Sequence, residues 1–200
     1  MPSATVYYDF KVSLEGIKPR IWRRFLLRRN STFGELHDTI QKACGWKNYH
    51  LFEFRPVGSR ERLAVSPYDE PWDPDDVGPV AGAVKVTTFF RNLQDSCIYV
   101  YDFGDSWEHL VELKGEEKLP GQKRRKLVGG GRAFPPEDCG GVPGYYECLE
   151  AFRITDAELG RLDEDQRDQL LSVRKWFGGW NPERLDLQAT ANDMRQRVSY

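Results

Sequence analysis

Residues 101–109 read Tyr-Asp-Phe-Gly-Asp-Ser-Trp-Glu-His and place Asp102, Asp105 and His109 with three aromatic rings around one glycine turn. Two carboxylates and an imidazole drawn together can bind a divalent cation or perform acid–base chemistry. Asp102, Asp105 and His109 are therefore the metal set that the sequence suggests. On a strand, Trp107 and His109 share one face while Glu108 and Leu110 take the other. The structural alternative is that Asp105 satisfies turn amides and Asp102 pairs with Arg23 or Arg24.

Residues 135–141, Pro-Pro-Glu-Asp-Cys-Gly-Gly, form a second dense block, with Tyr145 just beyond. Two prolines stiffen the approach, and the glycines let backbone come close to a neighbour or ligand. If this loop folds over the turn, Glu137 and Asp138 join the first group in one cleft, framed by Trp46, Trp107 and Tyr145. Otherwise the two acids cap the helix near Tyr145. Cys139 has no histidine beside it in sequence to make it a nucleophile. His37 and His50 complete the histidines, each either a hydrogen-bonded filler or a contributor to the same site.

A cationic segment at 18–29 offers Arg20, Arg23, Arg24 and Arg28 beside Trp22 and Phe25, types that track phosphates and stack on bases. The competing reading is a charged edge strand paired with the acidic loop at 69–76. A net charge of -2 favours the second, because no global field draws the chain to nucleic acid. Gly129-Gly130-Gly131 lacks the lysine and hydroxyl of a phosphate-cradling loop.

These groups need elements to hold them. Residues 6–14 alternate apolar and polar, a half-buried strand, and 21–27 form a second strand, antiparallel because the connection is short. Thr32 with Glu35 makes a capping box for a helix that presents Phe33, Leu36, Ile40, Ala43 and Cys44 on one stripe and ends at Gly45. Residues 50–57 and 62–65 read as strands, 66–83 as an acidic, proline-rich loop, and 87–94 as a short helix. Residues 96–103 and 107–114 form a hairpin turning at Gly104-Asp105, and 129–131 are flexible. From 143 to 200 the pattern is helical.

Strands early and helices late give an α+β class: a mostly antiparallel, roll-like sheet on the N-terminal helix, with a helical C-terminal third. Without a repeat or linker, residues 1–200 are expected to form one domain. Aromatics at 13% argue against disorder. Four scattered cysteines, no secretory segment and no long apolar run point to free thiols, no membrane and the cytoplasm.

Taken together, the blocks resemble the plasmid pRiA4b ORF-3-like family. They are 21–24 (Ile-Trp-Arg-Arg), 33–37 (Phe-Gly-Glu-Leu-His), 45–46, 50–54, 101–109, 135–141 and 180–183 (Trp-Asn-Pro-Glu). The resemblance implies an α+β domain whose sheet rolls around its first helix. Labels on relatives refer to plasmids or a transposon resolvase, but no serine- or tyrosine-recombinase residue set is readable here. Several relatives carry extra cysteines where this chain has Leu127 and Phe134, so a zinc site of the cysteine type is not expected.

The leading expectation is a binding or regulatory module, with an unknown ligand or protein partner, whose cleft is lined by Asp102, Asp105, Trp107, His109, Glu137, Asp138 and Tyr145. A metal-assisted hydrolase using the acid and histidine cluster, with a divalent metal, is the second reading. A nucleic-acid-associated protein of mobile elements using the basic strand is the third.

Overall fold

The computed structural model describes residues 4–67, 78–120 and 123–195. Seven strands form one sheet in the order β4-β3-β5-β6-β1-β2-β7, and every neighbouring pair is antiparallel. The strands are β1 (Thr5–Leu14), β2 (Trp22–Arg28), β3 (Phe52–Pro56), β4 (Ala64–Val65), β5 (Ser96–Tyr101), β6 (Trp107–Leu119) and β7 (Arg125–Gly131). The long β1 and β6 form the spine, and α1 (Phe33–Cys44) lies against the sheet.

The helix starts where the sequence requires. Thr32 accepts from the Glu35 amide while Glu35 reaches back to the Thr32 amide, and Gly45 closes it in the left-handed conformation at φ 81°. Its Phe33, Leu36, Ile40 and Ala43 are fully buried. They meet Phe10, Phe54 and Tyr99 from the strands and Phe90 from the loop before β5, with Phe33 and Phe54 centroids 5.0 Å apart.

Several expected boundaries move. Residues 129–131 are part of β7, paired with Trp22, Arg23 and Arg24 rather than flexible. Glycine is needed there because a Cβ on Gly131 would lie 2.7 Å from the Trp22 indole nitrogen, and one on Gly130 2.8 Å from the Arg23 side chain. β2 is consequently an interior strand, not an edge. In place of a helix over 87–94, a single 3-10 turn spans Val86–Thr88. The loop expected at 66–83 contains a bridge from Val80 to Val65 and a buried Ala81. The acids at 69–76 lie outside the described residues.

The C-terminal part is helical as expected but begins earlier, with α2 (Gly141–Arg153), followed by α3 (Asp156–Leu159), α4 (Glu164–Trp176) and α5 (Leu187–Asp193). Ala151, Leu159 and Leu170 make a small second cluster, while α5 packs on α1 and β7. Among the described residues no helix is long and apolar enough to cross a membrane.

Candidate functional site

Sequence alone left open whether the two dense blocks meet. They do. The chain leaves β5 through Asp102 at φ 58° and enters β6 through Ser106 at φ 53°, with the Ser106 amide donating to the Asp102 carbonyl at 2.6 Å. Asp102 Oδ1 accepts the Gly104 and Asp105 amides at 3.0 and 3.3 Å, so this carboxylate locks the turn. Across the seam, Asp105 Oδ2 accepts the Gly140 amide at 3.1 Å. Gly141, at φ 68°, sits so close that a Cβ would lie 2.6 Å from the Asp105 carbonyl oxygen. The blocks therefore pack directly together, and little of the expected cleft remains between them.

What the seam exposes is a smaller group. His50 Nε2 lies 2.7 Å from Asp138 Oδ1 and 3.6 Å from Asp102 Oδ2. One donor atom from each of the three residues falls within 4.8 Å of the other two. The Asp138 side chain is 55% exposed and His50 30%, so solvent reaches the group. Strand register explains His50: Phe52 pairs with Tyr101, and the Asp102 amide donates to the Leu51 carbonyl, which sets residue 50 beside residue 102.

Tyr101 is the post behind this group. Its hydroxyl accepts the Tyr49 amide at 3.0 Å and donates to Glu137 Oε1 at 2.5 Å, while Glu137 Oε2 accepts the Lys47 amide at 2.8 Å. Burial, reinforced by the Glu137 carboxylate, pushes the Tyr101 phenol well above its ordinary range. Glu137 thus ties the second block to the segment after α1.

His109 stands elsewhere, contrary to the expected set of Asp102, Asp105 and His109. It shares a face with Trp107, as strand alternation requires, but that face is the core. Its ring is fully buried, stacked 5.9 Å from Phe134 and edge-on to Trp46 at 5.4 Å. Nδ1 donates to the Trp107 carbonyl at 3.0 Å, and burial pushes the pKa down to about 4, so the ring is neutral at pH 7. Trp107 and Tyr145 are likewise interior, with Tyr145 against Trp180 at 5.9 Å.

The arginines do not form one track. Arg24 pairs with Asp9 at 2.6 Å, which leaves Asp102 to its turn amides and His50. Arg23, on the opposite face, is buried among carbonyls, Arg20 is exposed in the β1–β2 connection, and Arg28, on the face of Arg24, donates from Nε to the Lys123 carbonyl. Alternation on an interior strand splits the charges between two faces. The thiols of Cys44, Cys97, Cys139 and Cys148 are free, and Cys139 is hydrogen-bonded to Cys148. Leu127 and Phe134 pack on the core.

The model of the plasmid pRiA4b ORF-3-like protein family matches residues 6–189. The chain belongs to that family. Among curated proteins it is similar to the uncharacterized protein y4hQ of Sinorhizobium fredii, 33% identical over 145 residues, which is 70% of each chain. Among solved structures it is similar to MM3350 from Methanosarcina mazei Go1, a protein of unknown function. That match has a TM-score of 0.73 and 31% identity, and it covers 92% of this chain and 96% of the other. Family and fold are fixed by these matches, and activity must be argued from the site itself.

Proposed function

We propose that the protein is a binding module whose working surface is the exposed seam between the 101–109 turn and the 135–141 loop. There His50, Asp102 and Asp138 hold a divalent cation that presents open coordination positions to a ligand. The supporting observation is the convergence of three donor atoms within 4.8 Å on a solvent-reached surface. One imidazole and two carboxylates suit borderline Zn²⁺ or the harder Mn²⁺, and three protein donors leave room for further oxygens. Asp102 is already oriented by two turn amides, so its remaining oxygen is held in place before an ion arrives.

The same open positions support metal-assisted hydrolysis as a second reading, since an ion-bound water is acidified. Metal-free protein titrated with Zn²⁺ and Mn²⁺ by calorimetry is expected to bind one ion per chain. Binding should drop about tenfold or more in His50→Ala and Asp138→Asn, and stay unchanged in His37→Gln. Retained affinity in both seam variants overturns the site. Metal-dependent turnover of model phosphate or carboxylate esters, lost in the same variants, would select the hydrolase.

A further inference from the structure

Beyond the seam, Arg23 is placed without a counter-charge in a way that points to a second ligand. The residue is only 3% exposed. Its Nε donates to the Ala43 carbonyl at 2.8 Å and its Nη1 to the Trp22 and Arg132 carbonyls at 2.8 and 2.9 Å. The Gly131 carbonyl lies at 3.3 Å from the same nitrogen, and the guanidinium carbon sits 4.8 Å over the Phe134 ring. Every one of these partners is neutral. Among the described residues no carboxylate pairs with Arg23 and no group accepts from Nη2. The thiol of Cys44 beside it is held protonated by burial. A buried charge whose neighbours are only carbonyls is costly to keep unless an anion arrives to complete it.

Space for such an anion exists. Arg23 lines a cavity of about 260 Å³ under the 135–137 segment, walled by Trp46, Trp180 and Pro136 and rimmed by Arg184 and Thr190. Arg184 has no ion pair among the described residues. Two acids also border the cavity, but both are engaged. Glu137 accepts from Lys47 and Tyr101, and Asp186 accepts the Ala189 amide at the start of α5. Both tryptophans already donate their indole N–H groups to backbone, Trp46 to Pro135 and Trp180 to Phe134. What they have left to offer a guest is ring surface.

We infer that this cavity binds a small organic anion, its charged group on Arg23 and Arg184 and its apolar body against Trp46 and Trp180. Arg23 offers its remaining Nη2 and Arg184 its guanidinium fork to the oxygens of a carboxylate or a phosphate ester, and aromatic walls select a flat body. None of His50, Asp102 or Asp138 lines the cavity, so this site and the seam stand or fall separately.

The test is calorimetric titration, with tryptophan fluorescence in parallel, using benzoate, phenyl phosphate, benzyl alcohol and inorganic phosphate. At least one aromatic anion is expected to bind in the micromolar to millimolar range while benzyl alcohol does not, and the tighter of the two identifies the headgroup. Arg184→Gln, an exposed change, should weaken that binding about tenfold. Arg23→Lys should weaken it further, checked for folding by circular dichroism. Should Arg23→Lys unfold, Arg184→Gln alone decides. No binding of either aromatic anion, equal binding of benzyl alcohol, or unchanged affinity in Arg184→Gln overturns the inference. Inorganic phosphate binding as well as phenyl phosphate overturns the role of the aromatic walls.

Discussion

At the scale of single residues, Tyr101 carries more than its ring. One hydroxyl links the segment after α1, the end of β5 and the 135–141 loop through the Tyr49 amide and Glu137. Removing it leaves a part-buried carboxylate oxygen and an amide without their partner. Tyr101→Phe is therefore expected to cost about 1–3 kcal/mol, measured by urea denaturation. Glu137→Gln keeps an acceptor at the same place and should cost less. A neutral Tyr101→Phe would show that the link contributes nothing to stability. This residue also marks where the sequence stopped being informative. Asp102, Asp105 and Asp138 could be nominated by type, but His50 could not be preferred over His109. The choice depends on which face of β6 is core and on the Phe52–Tyr101 register, and both are long-range facts.

At the scale of elements, the seam is set by close backbone approach. A Cβ on Gly144 would fall 1.7 Å from the Cys139 carbonyl oxygen, which no side-chain adjustment can relieve. Gly144→Ala must shift either the first turn of α2 or the loop before it, and the loop holds Asp138. Thermal unfolding should show a loss of about 2–4 kcal/mol, together with weakened Zn²⁺ or Mn²⁺ binding at the seam. Stability and metal affinity both at the wild-type level would mean that the loop relaxes freely. Elements whose signals are local were legible: the capping box of α1, the 96–114 hairpin and the antiparallel β1–β2 pair all form. β7 was not, because three consecutive glycines read as a flexible linker in isolation. They become a strand only because Trp22 and Arg23 fill the space that side chains would have taken.

At the scale of the molecule, acid stability follows from two interior histidines. His37 is 2% exposed and stacked on Phe52 at 3.6 Å, and burial pushes its pKa down to about 3. His109 is pushed down to about 4 for the same reason. In the unfolded chain both titrate near about 6.5, so below that pH the unfolded state binds more protons than the folded one. Stability is thus full above about pH 6.5 and falls as the pH drops toward the two folded values, by on the order of 3–5 kcal/mol per histidine at most. Urea midpoints should decline between about pH 7 and about pH 5. A flat profile over that interval would mean that these rings are not buried as neutral groups in solution.

The strand order has one more consequence. An open sheet normally offers its outer backbone amides and carbonyls to any extended segment that comes by. Here one border strand, β4, is two residues long and is bridged by Val80, while the other, β7, has α5 alongside it and Arg125 Nε bonded to the Met194 carbonyl. Recruitment of a peptide by adding it as an eighth strand is disfavoured at both borders. Recognition by this fold then falls to side chains and shaped surface rather than to main-chain ladders, and the molecule is guarded against the edge-to-edge stacking that precedes fibrils.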